Sequence, residues 1–189
     1  MSSGQVTQTE TRPGVDGAAS ARAGEARRGL LFDLASLDLS KDRFDREAIG
    51  RRNPHRGDMA LLDAVLWTSD DFKRGVGVWR VKGTEFWVPG HFPGKPMLPG
   101  VLQVEAGAQM SVFLYNARFV RPKLAAFTHI EECSFRGQVQ PGDHLLILAD
   151  EIKASDKRFN SRIQGVVNGQ ITFEATITKI ALGEAQMDA

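Results

Sequence analysis

The chain has 189 residues and a formal net charge of +1, from 24 basic and 23 acidic residues. That length suits one domain with a core of its own, and the balanced charge excludes the basic excess typical of a nucleic-acid binder. A single cysteine, Cys133, excludes an intrachain disulfide and a multi-thiolate metal site, and it suits a reducing, cytoplasmic compartment.

No apolar run approaches the ~20 residues that cross a bilayer, and the first residues lack the apolar stretch of a signal peptide. No membrane partner is expected. Residues 1–29 are rich in Ser, Thr, Gly, Ala and Arg, with almost no large apolar side chains. They bury too little surface to offset their ordering entropy and read as a disordered tail. Residues 30–52 mix apolar and charged positions and read as a helical extension capped by Ser40. NPHRG at 53–57 breaks the pattern. ALLDAVLWTS (60–69) and GVGVWRVKGT (75–84) then read as two strands around a turn.

GHFPGKPMLPGVLQVEAGAQ follows at 90–109. Its Gly and Pro residues mark turns, and Pro99 suits the first turn of a helix. From Val101 to Leu114 apolar residues appear on every face, as in a buried helix. After a basic turn at 118–123, strands are expected over 123–139, 144–155, 159–169 and 170–182. Asn168-Gly169 makes a tight hairpin between the last two. In the last strand Ile171, Phe173, Ala175 and Ile177 alternate with Thr172, Glu174, Thr176 and Thr178. An antiparallel meander must cover its apolar face, and one helix has the character to do it. The expected class is α+β, an antiparallel sheet wrapped around one long central apolar helix. Its domain spans 53–182, with a short C-terminal tail at 183–189.

Glu105 lies inside that helix, where a charge costs several kcal/mol, roughly, unless paired or neutralised. Gln109 is four residues on and shares its face. His91 stands just upstream. A histidine and a buried carboxyl make a general base and a general acid, with burial expected to hold Glu105 towards its protonated form. The amides around Gly100 have no intrahelical partner and lie at the positive end of the helix dipole, where they suit a carbonyl oxygen gaining charge. This set fits removal of a proton beside a carbonyl and loss of a β-hydroxyl.

The run H-F-P-G-x-P-x-x-P-G-V-L-x-x-E-A-x-A-Q, here His91 to Gln109, resembles the motif of the FabZ-type 3-hydroxyacyl-[acyl-carrier-protein] dehydratases. PHRGDMALLD (54–63) and FTHIEECSFRGQVQPGD (127–143) resemble two further stretches of that family. The resemblance implies a hotdog fold and dehydration of a 3-hydroxyacyl thioester on acyl carrier protein to the trans-2-enoyl product in fatty-acid synthesis. It implies His91 and Glu105 as catalytic residues, and Gly100, with Val101 and Gln109, as substrate-binding positions. It implies no metal or organic cofactor. It also implies a homodimer, or a higher oligomer of dimers, in which His91 of one protomer faces Glu105 of the other. The chain departs from the family at Gly57-Asp58, in Phe86-Trp87-Val88-Pro89 and at Gly107, where a larger apolar residue is common.

His55, His129 and His144 read as structural, and Cys133 as a buried or half-buried small residue. Arg118, Arg121 and Lys123 form either an ordinary solvated turn or a landing patch for an acidic carrier protein. Two rival functions remain at this level: a hotdog acyl-CoA thioesterase, and an acyl-binding hotdog protein without turnover.

Overall fold

The computed structural model describes residues 29–187; of the tail expected over 1–29, residues 1–28 lie outside the described residues, as do 188–189. The seven strands are β1 (Phe44–Asp45), β2 (Ala64–Thr68), β3 (Arg74–Arg80), β4 (Lys123–Phe135), β5 (His144–Ala154), β6 (Arg158–Val167) and β7 (Gln170–Glu184). They form one antiparallel sheet in the order β1-β2-β3-β5-β6-β7-β4. The last strand therefore runs two residues into the expected C-terminal tail. Asn168 and Gly169 turn the β6–β7 hairpin with φ of 50° and 76°. Two positive φ values match the twist of the flanking strands, which is why Asn-Gly sits there.

A short helix α1 (Arg46–Gly50) precedes the long helix α2 (Gly100–Asn116). The sheet wraps α2 in the hotdog arrangement. Val104, Ala108, Met110 and Phe113 of the helix meet Val65, Trp79, Ile147, Ile163, Phe173 and Ile177 of the sheet in one apolar core. A Cβ at Gly107 would stand 2.5 Å from Ile163 Cδ1. A side chain there would have to displace Ile163 from the core, which favours the small residue at that position.

The segment before the domain differs from expectation. Residues 30–52 are not one helix. They give a 3-10 turn at Leu34–Ser36, then β1 and α1, and the cap of α1 is Asp45, not Ser40. The Ser40 hydroxyl instead donates to Asp38. Leu30, Leu31, Phe32, Leu34, Leu37 and Leu39 lie across the outer face of the sheet, over Val76, Leu148 and Val166. The Leu31 N–H donates to Gln164 Oε1 at 2.9 Å. The helix thus covers one face of the sheet and the strap covers part of the other.

The alternation expected in β7 holds for Phe173, Ala175 and Ile177, which reach the core. It slips at Thr172. Gly165 pairs with Phe173 and Val166 with Ile171, so Thr172 is the extra residue of a bulge. Its hydroxyl donates to Gln103 on α2 at 3.0 Å rather than pointing to the polar face.

Candidate active site

His91 is held by the loop that leads into α2. Its N–H donates to Trp87 O at 2.9 Å, and its carbonyl accepts from the Met97 N–H at 2.8 Å. Its ring Nδ1 lies 2.6 Å from Met97 O. Facing a carbonyl, Nδ1 must carry the proton, which leaves Nε2 with a free lone pair. The ring stacks on Phe92 with centroids 4.1 Å apart. His91, Pro99, Gly100, Val101, Gln103 and Phe135 line a cavity of about 340 Å³.

That cavity also contains the start of α2. The N–H groups of Leu102 and Gln103 turn back to Pro99 O at 3.0 and 3.3 Å, while those of Gly100 and Val101 have no acceptor among the described residues. A Cβ at Gly100 would stand 2.6 Å from the Phe135 ring. Any side chain here would strike that ring, so glycine keeps the amide open on one side and packed on the other. Val101 is 72% exposed and Phe135 52% exposed, giving the cavity an apolar rim.

Glu105 lies elsewhere. It is five residues along α2 from Gly100, about 7.5 Å in rise and about 140° in rotation. Among the described residues no hydrogen bond or ion pair joins it to His91. Its Oε1 accepts from Gln109 Nε2 at 2.9 Å and lies 3.3 Å from His55 Nε2. Burial pushes its carboxyl up and is the largest single influence. The hydrogen bonds from His55 and Gln109, with the charges of His55 and Lys179, outweigh it and leave Glu105 below the usual carboxylate range. The expectation that burial holds Glu105 protonated is therefore corrected. In the single chain its partners win and it is a carboxylate.

Gln109 shares the Glu105 face and bonds it, as its spacing suggests, but its contacts differ from the substrate-binding part that the resemblance implies. Its Nε2 donates to both Met59 O, at 2.7 Å, and Glu105, and its Oε1 accepts from the Leu61 N–H at 3.0 Å. Both amide protons are used, so it has no donor left for a substrate. It aims Glu105 and ties α2 to residues 59–61. Removing it would leave the buried Leu61 N–H unpaired, at ~1–3 kcal/mol.

His55 was read as structural, yet it contacts Glu105. No local pattern shows this, because the contact joins residues 50 apart. Gln103 also escaped notice, since its position is open in the motif. His129 and His144 are exposed strand residues. Cys133 is exposed, not buried, because it falls in a bulge between Glu131 and Ser134 at the sheet edge.

The basic turn is internally paired. Arg118 makes a two-pronged pair with Glu151, Arg121 Nη1 lies 3.1 Å from Glu184, and Lys123 Nζ donates to Asp156 O at 3.0 Å. Arg121 extends furthest into solvent, its side chain 75% exposed. Lys179 is fully buried, with its Nζ 3.0 Å from Ser111 Oγ and 5.1 Å from the centre of the Phe127 ring. Burial holds its ammonium well below the usual lysine range. No cluster of three or more metal-ligating side chains occurs among the described residues.

A sheet wrapped around one long helix, with a histidine loop leading into that helix's N-terminus, is the hotdog architecture. Residues 53–177 match the model of the FabA-like domain. A protein of Geobacillus thermodenitrificans named 3-hydroxyacyl-[acyl-carrier-protein] dehydratase FabZ is 38% identical over 132 residues, covering 69% of this chain and 90% of that one. A protein of the same name from Desulforamulus reducens is 36% identical, covering 75% of this chain and 99% of its own. The chain belongs to this family of hydro-lyases. Among solved structures, the dehydratase heterocomplex ApeI:P from Xenorhabdus doucetiae shares the fold, with a TM-score of 0.62 at 17% identity over 70% of this chain and 90% of that one. No helix among the described residues is long and apolar enough to cross a membrane.

Proposed function

We propose that this protein dehydrates 3-hydroxyacyl thioesters carried on acyl carrier protein to the trans-2-enoyl thioesters of fatty-acid synthesis. The observation that carries this reading is His91. Its Nδ1 proton is committed to Met97 O, so its Nε2 lone pair is available in a cavity that also holds the unpaired Gly100 amide. In the proposed reaction Nε2 takes the proton from the carbon beside the thioester. The Gly100 N–H holds the carbonyl oxygen as charge builds on it. Glu105 delivers a proton to the departing 3-hydroxyl.

That last step needs the acid form, and the site is proposed to be completed by a second copy. The edge strand β4 exposes Leu124, Phe127, Ile130 and Phe135. An open, apolar edge of this length invites pairing. Two copies joined there would bring His91 of one to Glu105 of the other. Closure by the second copy and by substrate deepens the burial of Glu105, which is the influence that pushes its carboxyl up. The carrier protein is proposed to approach the turn bearing Arg118, Arg121 and Lys123, and the compartment to be the cytoplasm, which a chain with one cysteine suits.

The test is to incubate the purified protein with 3-hydroxyacyl and with enoyl carrier-protein thioesters while following enoyl absorbance. Interconversion in both directions supports the reading. Release of free thiol, or no change with either substrate, overturns it.

A further inference from the structure

Gln103 is a buried carboxamide with both of its donor protons unspent among the described residues. The residue is 2% exposed. Its Oε1 accepts from the Thr172 hydroxyl at 3.0 Å, and Thr172 is placed there by the bulge in β7. Its Nε2 has no acceptor among the described residues, and it is not among the unpaired polar atoms sealed from solvent. Gln103 lines the same cavity as His91, Gly100 and Phe135. A buried amide with two free protons is costly unless something accepts them.

Helix geometry says what that acceptor would be near. Gln103 lies three residues after Gly100, so the two are about 60° apart around the axis and share a face. Side chains on a helix lean towards its N-terminus and cover the preceding turn. The Gln103 carboxamide therefore lies over the turn at Pro99–Gly100, where the unpaired Gly100 and Val101 amides are also found. The helix dipole adds its positive end to the same spot.

We infer that Gln103 Nε2 is a second hydrogen-bond donor for the substrate's thioester carbonyl, acting with the Gly100 N–H to stabilise the enolate that forms when His91 removes the adjacent proton. Thr172 is the positioning residue that turns the carboxamide so that nitrogen, not oxygen, faces the cavity. This inference rests on the dehydratase reading for its kinetic consequence, while its binding consequence is independent of turnover.

Two measurements on the full chain test it. Gln103→Met keeps length and removes the donor; Gln103→Met combined with Thr172→Val removes both polar partners and guards against a folding failure caused by one orphaned group. Removing one donor of such a pair lowers kcat by roughly 10²-fold. The expected result is a fall of at least tenfold in kcat in both variants, with KM changed less than threefold. A smaller fall in kcat overturns the inference. The second measurement is isotope-edited infrared spectroscopy of a carbonyl-labelled butyryl thioester, which lacks the 3-hydroxyl and does not react. Wild-type protein should lower the carbonyl stretch, and both variants should lose part of that shift. An unchanged stretch overturns the inference. A wild-type protein without dehydratase activity would instead refute the proposed function, and the infrared result would still decide whether Gln103 donates to the carbonyl.

Discussion

The His91 half of the site and the Glu105 half are built on different principles. His91 is set by backbone groups close to it in sequence, Trp87 O and Met97 O, inside a loop of turns, and it faces an open cavity. Glu105 is set by side chains: His55, 50 residues away in sequence, and Gln109, one turn on along α2 and itself clamped to Met59 and Leu61. The first half is a short-range device that presents a lone pair. The second is a long-range polar network that holds a charge. The lesson is that one protomer carries two separate clusters, His91 with the helix N-terminus in one and Glu105 in the other.

The largest effect is expected from breaking the chemistry of the Glu105 half while keeping its shape. Glu105→Gln retains an oxygen for His55 and Gln109 but cannot supply a proton. Dehydration should fall ~10²–10⁴-fold, with the melting temperature little changed. Steady-state enoyl absorbance and a thermal melt check both, and turnover within a few-fold of wild type would remove Glu105 from the reaction.

Next comes the network. His55 is the foremost influence lowering the Glu105 carboxyl, ahead of Gln109. His55→Phe should therefore raise that pKa, which a pH titration of the carboxyl carbon by NMR would follow. The sign of the stability effect follows. A depressed carboxyl stabilises the fold above its unfolded pKa, and that contribution is lost as pH falls through the folded pKa. With His55 gone the depression shrinks, so acid unfolding of the variant should begin at higher pH. An unmoved titration would show that His55 only fills space.

The smallest effect is expected at the far end of α2. The basic turn is about 25 Å from Gly100 by helix rise, and its cations already have partners. Arg121→Glu should weaken turnover of carrier-bound substrate a few-fold, in a salt-dependent way, and spare a small thioester analogue. Equal loss on both substrates would refute docking there.

The same contrast between short and long range explains how much could be read from the sequence. The loop, the helix and the hairpin at Asn168-Gly169 are local patterns, so His91, Gly100 and Glu105 stood out together. His55 and the clamped role of Gln109 depend on residues about 50 positions away meeting α2, and no periodicity encodes that. Gln103 drew no reading, because its partner Thr172 reaches it only through a bulge. Residues 30–52 read as helix from their mix of apolar and charged positions, yet Leu30 to Leu39 cover the outer sheet face at Val76, Leu148 and Val166 as an extended strap. The protonation state of Glu105 was misjudged for a related reason. Burial was legible from the apolar helix, and the opposing hydrogen bonds were not.

The central claim is that the two half-sites of different protomers make one active site. Inactive His91→Ala protein and inactive Glu105→Gln protein should be mixed in equal amounts under conditions shown to exchange subunits. In a mixed dimer one shared site collects both substitutions and the other keeps an intact His91 facing an intact Glu105. With random exchange, half of the dimers are mixed and half of their sites are whole, so turnover should return to about one quarter of wild type. Proven exchange with no recovered turnover would contradict the account, since it would mean that each site is built within a single protomer.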